Sequence, residues 1–500
     1  MNHNGTGQRM ENQRLDHLEA LFNPRTIAFI GATEETNKWG FIVFNSILRG
    51  GWPGRIFPVN PGRETVLGIK AYNSVTDIPE TVDLAVLTVP AKYVPRVIDD
   101  CLSIKIKAGL IISAGFREMG GDRRQIEADM VARARAGGMV LVGPNCQGIF
   151  CPSSRLYAHM PRHFFIPPGK VAVVSQSGNI SNMIVGAVYE AGQGIAMGVS
   201  SGNEADLRLE DYLTYMAEKP EVASIVAYIE SVPEGRRFFE QAARVTRRKP
   251  VIVLKGGRTP SGKKAASSHT GALAVEDALF ADICRQTGII RARTIEDAGI
   301  LGASFVNRPL PRGNRVAIMT GGGGLGVVAA DICSDEGFSV VSLSDETIAD
   351  LKKYLPDWWV PGNPVDLVAG NRFDTILPIM EILLKSKEID ALIFTFVGPP
   401  KLDRADIAEN ERRGIKPPDL FESLGAFIPA FIDQVQSLSF ETGVPVYPVF
   451  SLPEMIRTPF VEMPIKKPGA IYKDVEPACR ALTAMHEYQR FRRKQENRGR

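Results

Sequence analysis

Short, continuously apolar runs recur along this chain, separated by longer amphipathic stretches, and that alternation constrains the fold more than any other feature. Ile27-Ala28-Phe29-Ile30, Arg55-Ile56-Phe57-Pro58-Val59, Leu84-Ala85-Val86-Leu87, Leu110-Ile111-Ile112 and Val140-Leu141-Val142 form a first series. Runs of this kind with no polar face belong to strands buried on both sides, so they predict a parallel sheet covered by helices. A second series follows Pro144, with Val171-Ala172-Val173-Val174, Ile195 to Val199, Ile225 to Ile229 and Val251 to Leu254, and closes near Asn307. Arg308-Pro309-Leu310-Pro311-Arg312-Gly313-Asn314 has linker composition. A third series runs from Arg315-Val316-Ala317-Ile318-Met319 through Leu392 to Phe396 and on to Val444-Pro445-Val446-Tyr447-Pro448-Val449. At about 150 residues per domain, three α/β domains fit the chain, with expected bounds 15–150, 151–307 and 308–465. Residues 466–500 read as a basic C-terminal tail, a solvated helix that frays.

Composition excludes several classes of function. Lys plus Arg number 59 against 56 for Asp plus Glu, a net charge of +3 that gives no reason to expect a nucleic-acid partner. The six cysteines include no C-x-x-C pair, which disfavours a zinc site or a disulfide framework and suits a reducing, cytoplasmic compartment. Met1 to Gln13 is polar, and no apolar run approaches about 18 residues, so neither secretion nor a membrane partner is expected.

The turn after the first strand, Gly31-Ala32-Thr33, leads through Lys38 and Gly40 into a predicted helix, presenting backbone amides and a helix N-terminus to an anionic ligand. A nicotinamide dinucleotide is disfavoured here. The glycine fingerprint is absent at this turn, and the second strand ends at Val59-Asn60-Pro61 rather than at an acid for the ribose hydroxyls. Another adenine nucleotide carrier is expected, with a purely structural tight turn as the alternative. Val89-Pro90-Ala91, Ser113-Ala114-Gly115-Phe116 and Gly143-Pro144-Asn145-Cys146 lie at further strand ends, where ligands of open α/β sheets sit. Cys146 has no histidine or acid nearby in sequence and reads as a packed thiol rather than a nucleophile.

Ser175-Gln176-Ser177-Gly178-Asn179 ends a buried strand and opens a predicted helix, whose free amides suit a phosphoryl group. Thr320-Gly321-Gly322-Gly323-Gly324 repeats the device, and its glycines favour close approach of a ligand or another backbone. Two such cradles suggest one phosphate held between domains. Ser261 to Ala274 is a small, polar stretch displaying His269, an imidazole with a neutral nitrogen near pH 7 that could attack phosphorus. His3, His17, His159, His163 and His486 have plainer contexts, His159 and His163 in a predicted loop. Glu230 ends the strand Ile225 to Ile229 and could hydrogen-bond one nitrogen of His269 while the other reacts; solvation or capping is the alternative.

In this order and at this spacing, these motifs, with Gln147-Gly148-Ile149 and Ser268-His269-Thr270-Gly271, resemble the NDP-forming (ADP-forming) acyl-CoA synthetases, relatives of succinyl-CoA synthetase, over about residues 15–460. The resemblance implies a Rossmann-like CoA-binding domain followed by two flavodoxin-like domains. It implies coenzyme A at Gly31, Ala32, Thr33, Lys38, Val59, Asn60, Pro61, Val89, Pro90, Ser113, Gly115 and Asn145, although Asn37-Lys38-Trp39-Gly40 departs from the commoner small-residue pattern. It makes His269 the phosphorylated histidine and Glu230 its supporting glutamate. Ser175, Ser177, Gly178 and Asn179, with Gly322, Gly323 and Gly324, become the phosphate-binding helix starts. All three domains are then assigned, so the ATP-grasp module, with ATP/ADP and Mg, falls to a separate β subunit in a hetero-oligomer. This chain becomes the α subunit of a ligase that takes a carboxylic acid to its acyl-CoA. The alternative is a catalytically inactive CoA- or acyl-CoA-binding regulatory protein, which retention of His269 and Glu230 disfavours.

Overall fold

The structure, a computed structural model, describes residues 17–264, 275–367, 373–397, 408–409, 411–414, 420–451, 466 and 469–498. The chain divides into two compact units, one running to Gly186 and taking up again at Gly194–Ala298, the other holding Ala187–Gln193 and the chain from Gly299 onward.

The first unit holds two large sheets. One contains β1 (Thr26–Ile30), β2 (Arg55–Val59), β5 (Leu84–Leu87), β6 (Ala108–Ile111) and β7 (Val140–Val142), with a small hairpin of β3 (Thr65–Val66) and β4 (Ile69–Lys70) beside it. These strands pair in parallel in the order β2-β1-β5-β6-β7. Tyr72 adds a one-residue parallel bridge to Val59. Counting that bridge, the order is the 3-2-1-4-5-6 of a Rossmann sheet, which reverses between β1 and β5. Helices α1 (Trp39–Gly50), α2 (Val94–Ser103) and α3 (Arg123–Ala136) make the crossovers. Every residue of β1, β5 and β6 is buried, as strands covered on both faces require.

The second sheet contains β8 (Gly148–Cys151), β9 (Leu156–His159), β10 (Pro168–Ser175), β11 (Ile195–Ser200), β12 (Ser224–Ile229), β13 (Val251–Lys255) and β14 (Ile290–Ala292), in the order β14-β13-β12-β10-β11-β8-β9. Its parallel part, read from β11, is the 2-1-3-4-5 order of flavodoxin-like sheets, switching between β10 and β12. The crossovers are α4 (Gly178–Glu190), α5 (Leu209–Glu218), α6 (Gly235–Thr246) and α7 (Asp277–Thr287), with α8 (Ile295–Ser304) after β14.

The hairpin β8–β9 corrects one expectation. His159 ends β9, 2% exposed, rather than lying in a loop. Its Nε2 lies 3.2 Å from the Phe164 carbonyl oxygen, and burial pushes the imidazole down to about 4, so the ring is neutral. The eight strand residues interrupted by Pro152-Ser153-Ser154-Arg155 are too short a pattern to separate from a loop by periodicity. His163 is exposed, with Nδ1 2.7 Å from an Arg49 guanidinium nitrogen.

The second unit is built on β15 (Arg315–Thr320), β16 (Ser339–Val340), β17 (Val365–Asp366), β18 (Ala391–Val397) and β19 (Val446–Ser451). The order β16-β15-β18-β19, extended by a parallel bridge from Val449 to Tyr472, is again 2-1-3-4-5, with β17 on β15. Helices α9 (Gly323–Asp335), α10 (Asp345–Leu351), α11 (Phe373–Lys385), α12 (Leu420–Thr442) and α13 (Val475–Arg498) complete it.

Helix α13 corrects the expected solvated tail. Val475, Ala478, Cys479, Leu482, Met485 and Tyr488 form an apolar stripe at helical spacing and are buried. Cys479 Sγ lies 3.5 Å from Cys333 Sγ on α9. The many arginines and glutamates of the outer face mask this stripe in average composition. Arg308, the first residue of the expected linker, is also buried: its guanidinium stacks on Tyr447 and Tyr472, and Nη2 donates to Ala470 O at 2.7 Å.

Among the described residues no helix is long and apolar enough to cross a membrane, and no group of three or more His, Cys, Asp or Glu side chains is placed to hold a metal ion.

Candidate functional site

The Rossmann sheet reverses beside Gly31. Its φ is +95°, and a Cβ there would lie 2.7 Å from Thr88 Oγ1 at the end of β5, so only glycine keeps this turn tight. Gly40, in the first turn of α1, has no room for a Cβ because it would overlap the Gly31 carbonyl oxygen. Asn60 ties the second strand end to the same turn: Nδ2 donates to Ala32 O at 2.8 Å, and Oδ1 accepts from Gly62 N at 3.0 Å. Ser113 Oγ donates to Val89 O, and Asn145 N donates to Ser113 O at 3.0 Å. Glu118 accepts from the amides of Gly115 and Phe116 at 2.6 and 3.1 Å. These bonds draw Gly31, Ala32, Thr33, Asn60, Val89, Ser113, Gly115 and Asn145 toward one sheet edge. Lys38 instead pairs with Glu35 at 2.7 Å on an exposed face, and Pro61 and Pro90 are exposed.

The flavodoxin-like sheet of the first unit reverses beside Ser175. That hydroxyl donates to Ser177 O at 2.6 Å and accepts from Ser177 N at 3.2 Å, turning the chain into α4. The first-turn amides of a helix have no intrahelical acceptor, so this start offers donors and the positive end of the dipole. Gly178 is required: a Cβ there would overlap the side chain of Gln147, whose Nε2 donates to Asn179 Oδ1 at 3.0 Å. Glu230, buried just beyond β12 on the other side of the switch, accepts from Tyr228 Oη at 3.1 Å.

Gln176 connects the two sides. Its Oε1 accepts from Glu230 N at 2.7 Å and Ser231 N at 3.0 Å, while Nε2 donates to Ser231 O and Glu204 Oε2, each at 2.9 Å. Every hydrogen-bonding position of one amide is thereby used.

A cleft of about 370 Å³ in the first unit brings the sheet edges together. Among its walls are Ser113 and Asn145 from the Rossmann side and Ser177, Gly178 and Asn179 from the helix start. The other ten expected CoA residues, Ser175 and Glu230 do not line it, although Ser231 does. Trp39, Gln147, Gln176, Asn203 and Glu204 line it without having been assigned a role from sequence. The signal for Gln176 and Glu204 was present, since each follows the end of a buried strand at the same sheet edge.

In the second unit Thr320 repeats the Ser175 device. Its Oγ1 donates to Gly322 O at 2.8 Å and accepts from Gly322 N at 3.2 Å, and α9 begins at Gly323. A Cβ on Gly322 or Gly324 would meet nothing within 4 Å, whereas Gly326 packs against Thr320 and Pro364. A Cβ on Gly323 would lie 2.9 Å from Asp366 Oδ2, so the run is open at Gly322 and Gly324 and closely approached by a carboxylate at Gly323. His269 lies outside the described residues.

A Rossmann sheet followed by two flavodoxin-like sheets, with Ser175 and Thr320 hydroxyls turning the chain from a strand end toward the next helix, defines a class of α/β proteins. Residues 25–152 match the CoA binding domain family, 168–301 the succinyl-CoA ligase like flavodoxin domain and 316–449 the ligase-CoA domain. The alpha subunit of acetate–CoA ligase [ADP-forming] II from Pyrococcus furiosus is 37% identical over 434 residues, covering 86% of this chain and 94% of that one. An acetate–CoA ligase [ADP-forming] from Methanocaldococcus jannaschii is 36% identical, but the match covers 70% of this chain and only 49% of that protein. Among solved structures, the dinucleotide forming acetyl-coenzyme A synthetase 1 of Ca. Korarchaeum cryptofilum, in complex with phosphate and ADP, superposes with a TM-score of 0.82 at 32% identity, covering 96% of this chain and 98% of that one. The chain belongs to the ADP-forming acyl-CoA synthetase alpha-subunit family, related to succinyl-CoA ligase.

Proposed function

We propose that this chain is the α subunit of an ADP-forming acyl-CoA synthetase, interconverting carboxylic acid, CoA and ATP with acyl-CoA, ADP and phosphate. The observation that carries the reading is the cleft joining Ser113 and Asn145 of the CoA-binding sheet to the α4 start at Ser177, Gly178 and Asn179. The tight Gly31 turn fits an anionic CoA moiety at this strand end, with Ala32, Thr33, Val59, Asn60, Pro61, Val89, Pro90, Ser113, Gly115 and Asn145 as the further CoA contacts and Lys38 reaching it only by leaving Glu35.

In the synthetic direction His269 accepts the γ-phosphoryl group of ATP, supported by Glu230, and passes it to the carboxylate. The acyl phosphate then loses phosphate as the CoA sulfur attacks its carbonyl carbon. Amides at the starts of α4 and α9 (Gly322, Gly323, Gly324) supply oriented dipoles for phosphoryl oxygens without reorganisation. Holding the steps inside the protein keeps the mixed anhydride from water. ATP, ADP and Mg belong to a separate ATP-grasp β subunit, as the alpha-subunit names of two relatives support.

The test is CoA-dependent ADP release by this chain with its ATP-grasp partner, across a panel of short aliphatic, aryl and dicarboxylic acids. Release requiring both CoA and one of the acids is expected. CoA binding with no ADP release from any acid would replace the synthetase with the regulatory reading.

A further inference from the structure

Glu204 occupies the cleft wall without a role in the chemistry above. It is 5% exposed, and its φ of +52° places a non-glycine residue in the left-handed region, a cost the surrounding bonds must hold. Gln176 Nε2 donates to Oε2 at 2.9 Å, and Ser201 Oγ lies 2.6 Å from Oε1. None of the described ion pairs includes it.

The charged side chains around it do not compensate a negative charge; a hydrogen bond from the Leu209 backbone at the α5 start favours the ionised form but is outweighed by burial. From α5, Glu210 adds like charge and Tyr212 is a neutral phenol. Arg237 is taken up by Glu210 at 2.9 Å and by Asp211. On the cleft wall Arg117 donates to Asn203 O and pairs with Glu127 at 3.6 Å, and burial pushes the Cys146 thiol up to about 12. From β10 and β12 come Ser175, Gln176 and, through Gln176, Glu230. Burial, with Glu210 adding to it, pushes the Glu204 carboxyl up to about 7.

The hydrogen bonds fit the protonated form. Ser201 Oγ also lies 3.2 Å from Ser175 O. With Glu204 ionised, the one hydroxyl proton of Ser201 must choose between two acceptors. With Glu204 protonated, its O–H donates to Ser201 and Ser201 donates to Ser175 O, so every group in the chain is used. This chain ends at the strand residue whose own hydroxyl shapes the α4 start.

We propose that Glu204 is the proton-binding residue of the cleft: as an oxyanion of the phosphate class settles on the α4 start, Glu204 takes one proton from solvent and holds it as a donor to Ser201. The proposal rests on the reading of this cleft as an anion site. Bringing a second negative group into a cavity beside an unpaired buried carboxylate favours its neutral form, so anion binding and proton uptake are linked. Lower pH then strengthens binding.

Inorganic sulfate is the probe, because unlike phosphate it does not itself titrate through neutrality. Calorimetric titration of the full chain with sulfate, repeated in buffers of different ionisation enthalpy, counts protons per bound anion. At about pH 8, above the free Glu204 value, uptake rising toward one proton is expected, with affinity falling up to about tenfold per pH unit above about 7. Glu204→Gln is expected to bind sulfate with no uptake and a flat pH profile. Sulfate binding to the unaltered chain without proton uptake overturns the role of Glu204 while leaving the anion site intact, as does undiminished uptake in the variant. Absence of sulfate binding in both overturns the anion site and this proposal together.

Discussion

Replacing Gln176 with alanine isolates the residue that joins the two halves of the site. The amide makes four hydrogen bonds, to Glu230 N, Ser231 N, Ser231 O and Glu204 Oε2. A typical intramolecular hydrogen bond contributes about 1 kcal/mol net, and a buried group left without its partner costs about 1–3. Both Ser231 and Glu204 line the cleft, but Ser231 is only half-buried, so water can replace its lost bonds, whereas Glu230 and Glu204 are buried. Gln176→Ala should therefore lower the unfolding free energy by about 2–4 kcal/mol, measured by urea denaturation of the full chain. The backbone at Glu230 is released at the same time, and displacement of a positioned group by about 1 Å costs on the order of 100-fold in rate. Steady-state assays with the partner subunit should show kcat for ADP release falling by about that factor while the Kd for CoA, proposed to lie along the Rossmann sheet edge, stays unchanged. A variant with undiminished stability and kcat would refute the idea that this amide holds the site.

Three further expectations follow from local geometry. Gly40→Ala places a methyl group against the Gly31 carbonyl oxygen, and the Kd for CoA by calorimetry should rise at least about tenfold, equivalent to about 1.4 kcal/mol; unchanged affinity would detach this turn from CoA. His159 is held at about 4 in the fold against about 6.5 unfolded, so the unfolded chain binds the extra proton and stability falls as pH drops through that window, by about 3 kcal/mol in all. His159→Leu should remove about one proton from the pH dependence of unfolding between pH 4 and 6.5, and an unchanged slope would contradict the neutral buried ring. Cys146, whose Sγ donates to Ile111 O at 3.3 Å and whose thiol is pushed up to about 12 by burial, should stay unlabelled by thiol reagents in the native chain, and Cys146→Ala should keep CoA-dependent turnover; loss of turnover would restore it as a nucleophile.

The strands most legible in the sequence were those buried on both faces, because β1, β5, β10 and β12 show no polar interruption long enough to suggest anything else. Their strand ends then pointed to Gly31, Ser113, Asn145 and Ser177, since ligands of such sheets sit where the strands run out. Less legible were elements with mixed faces. The β8–β9 hairpin is too short to declare a period, and the buried stripe of α13 is outnumbered by charged neighbours. Gln176 and Glu204 stand in motifs or loops at the right edge, but no pattern in the sequence says that one amide reaches across a sheet reversal to another strand's backbone. That relation depends on β10 and β12 being neighbours, which is a property of topology.

The measurement that bears most directly on the proposed chemistry is transfer of label from γ-labelled ATP to this chain in the presence of its ATP-grasp partner, followed by peptide mapping. Acid-labile, base-stable label on the peptide containing His269, absent from His269→Asn and discharged by acid plus CoA, is the expected result. Turnover to acyl-CoA and ADP with no label on His269, or with full activity in His269→Asn, would contradict it.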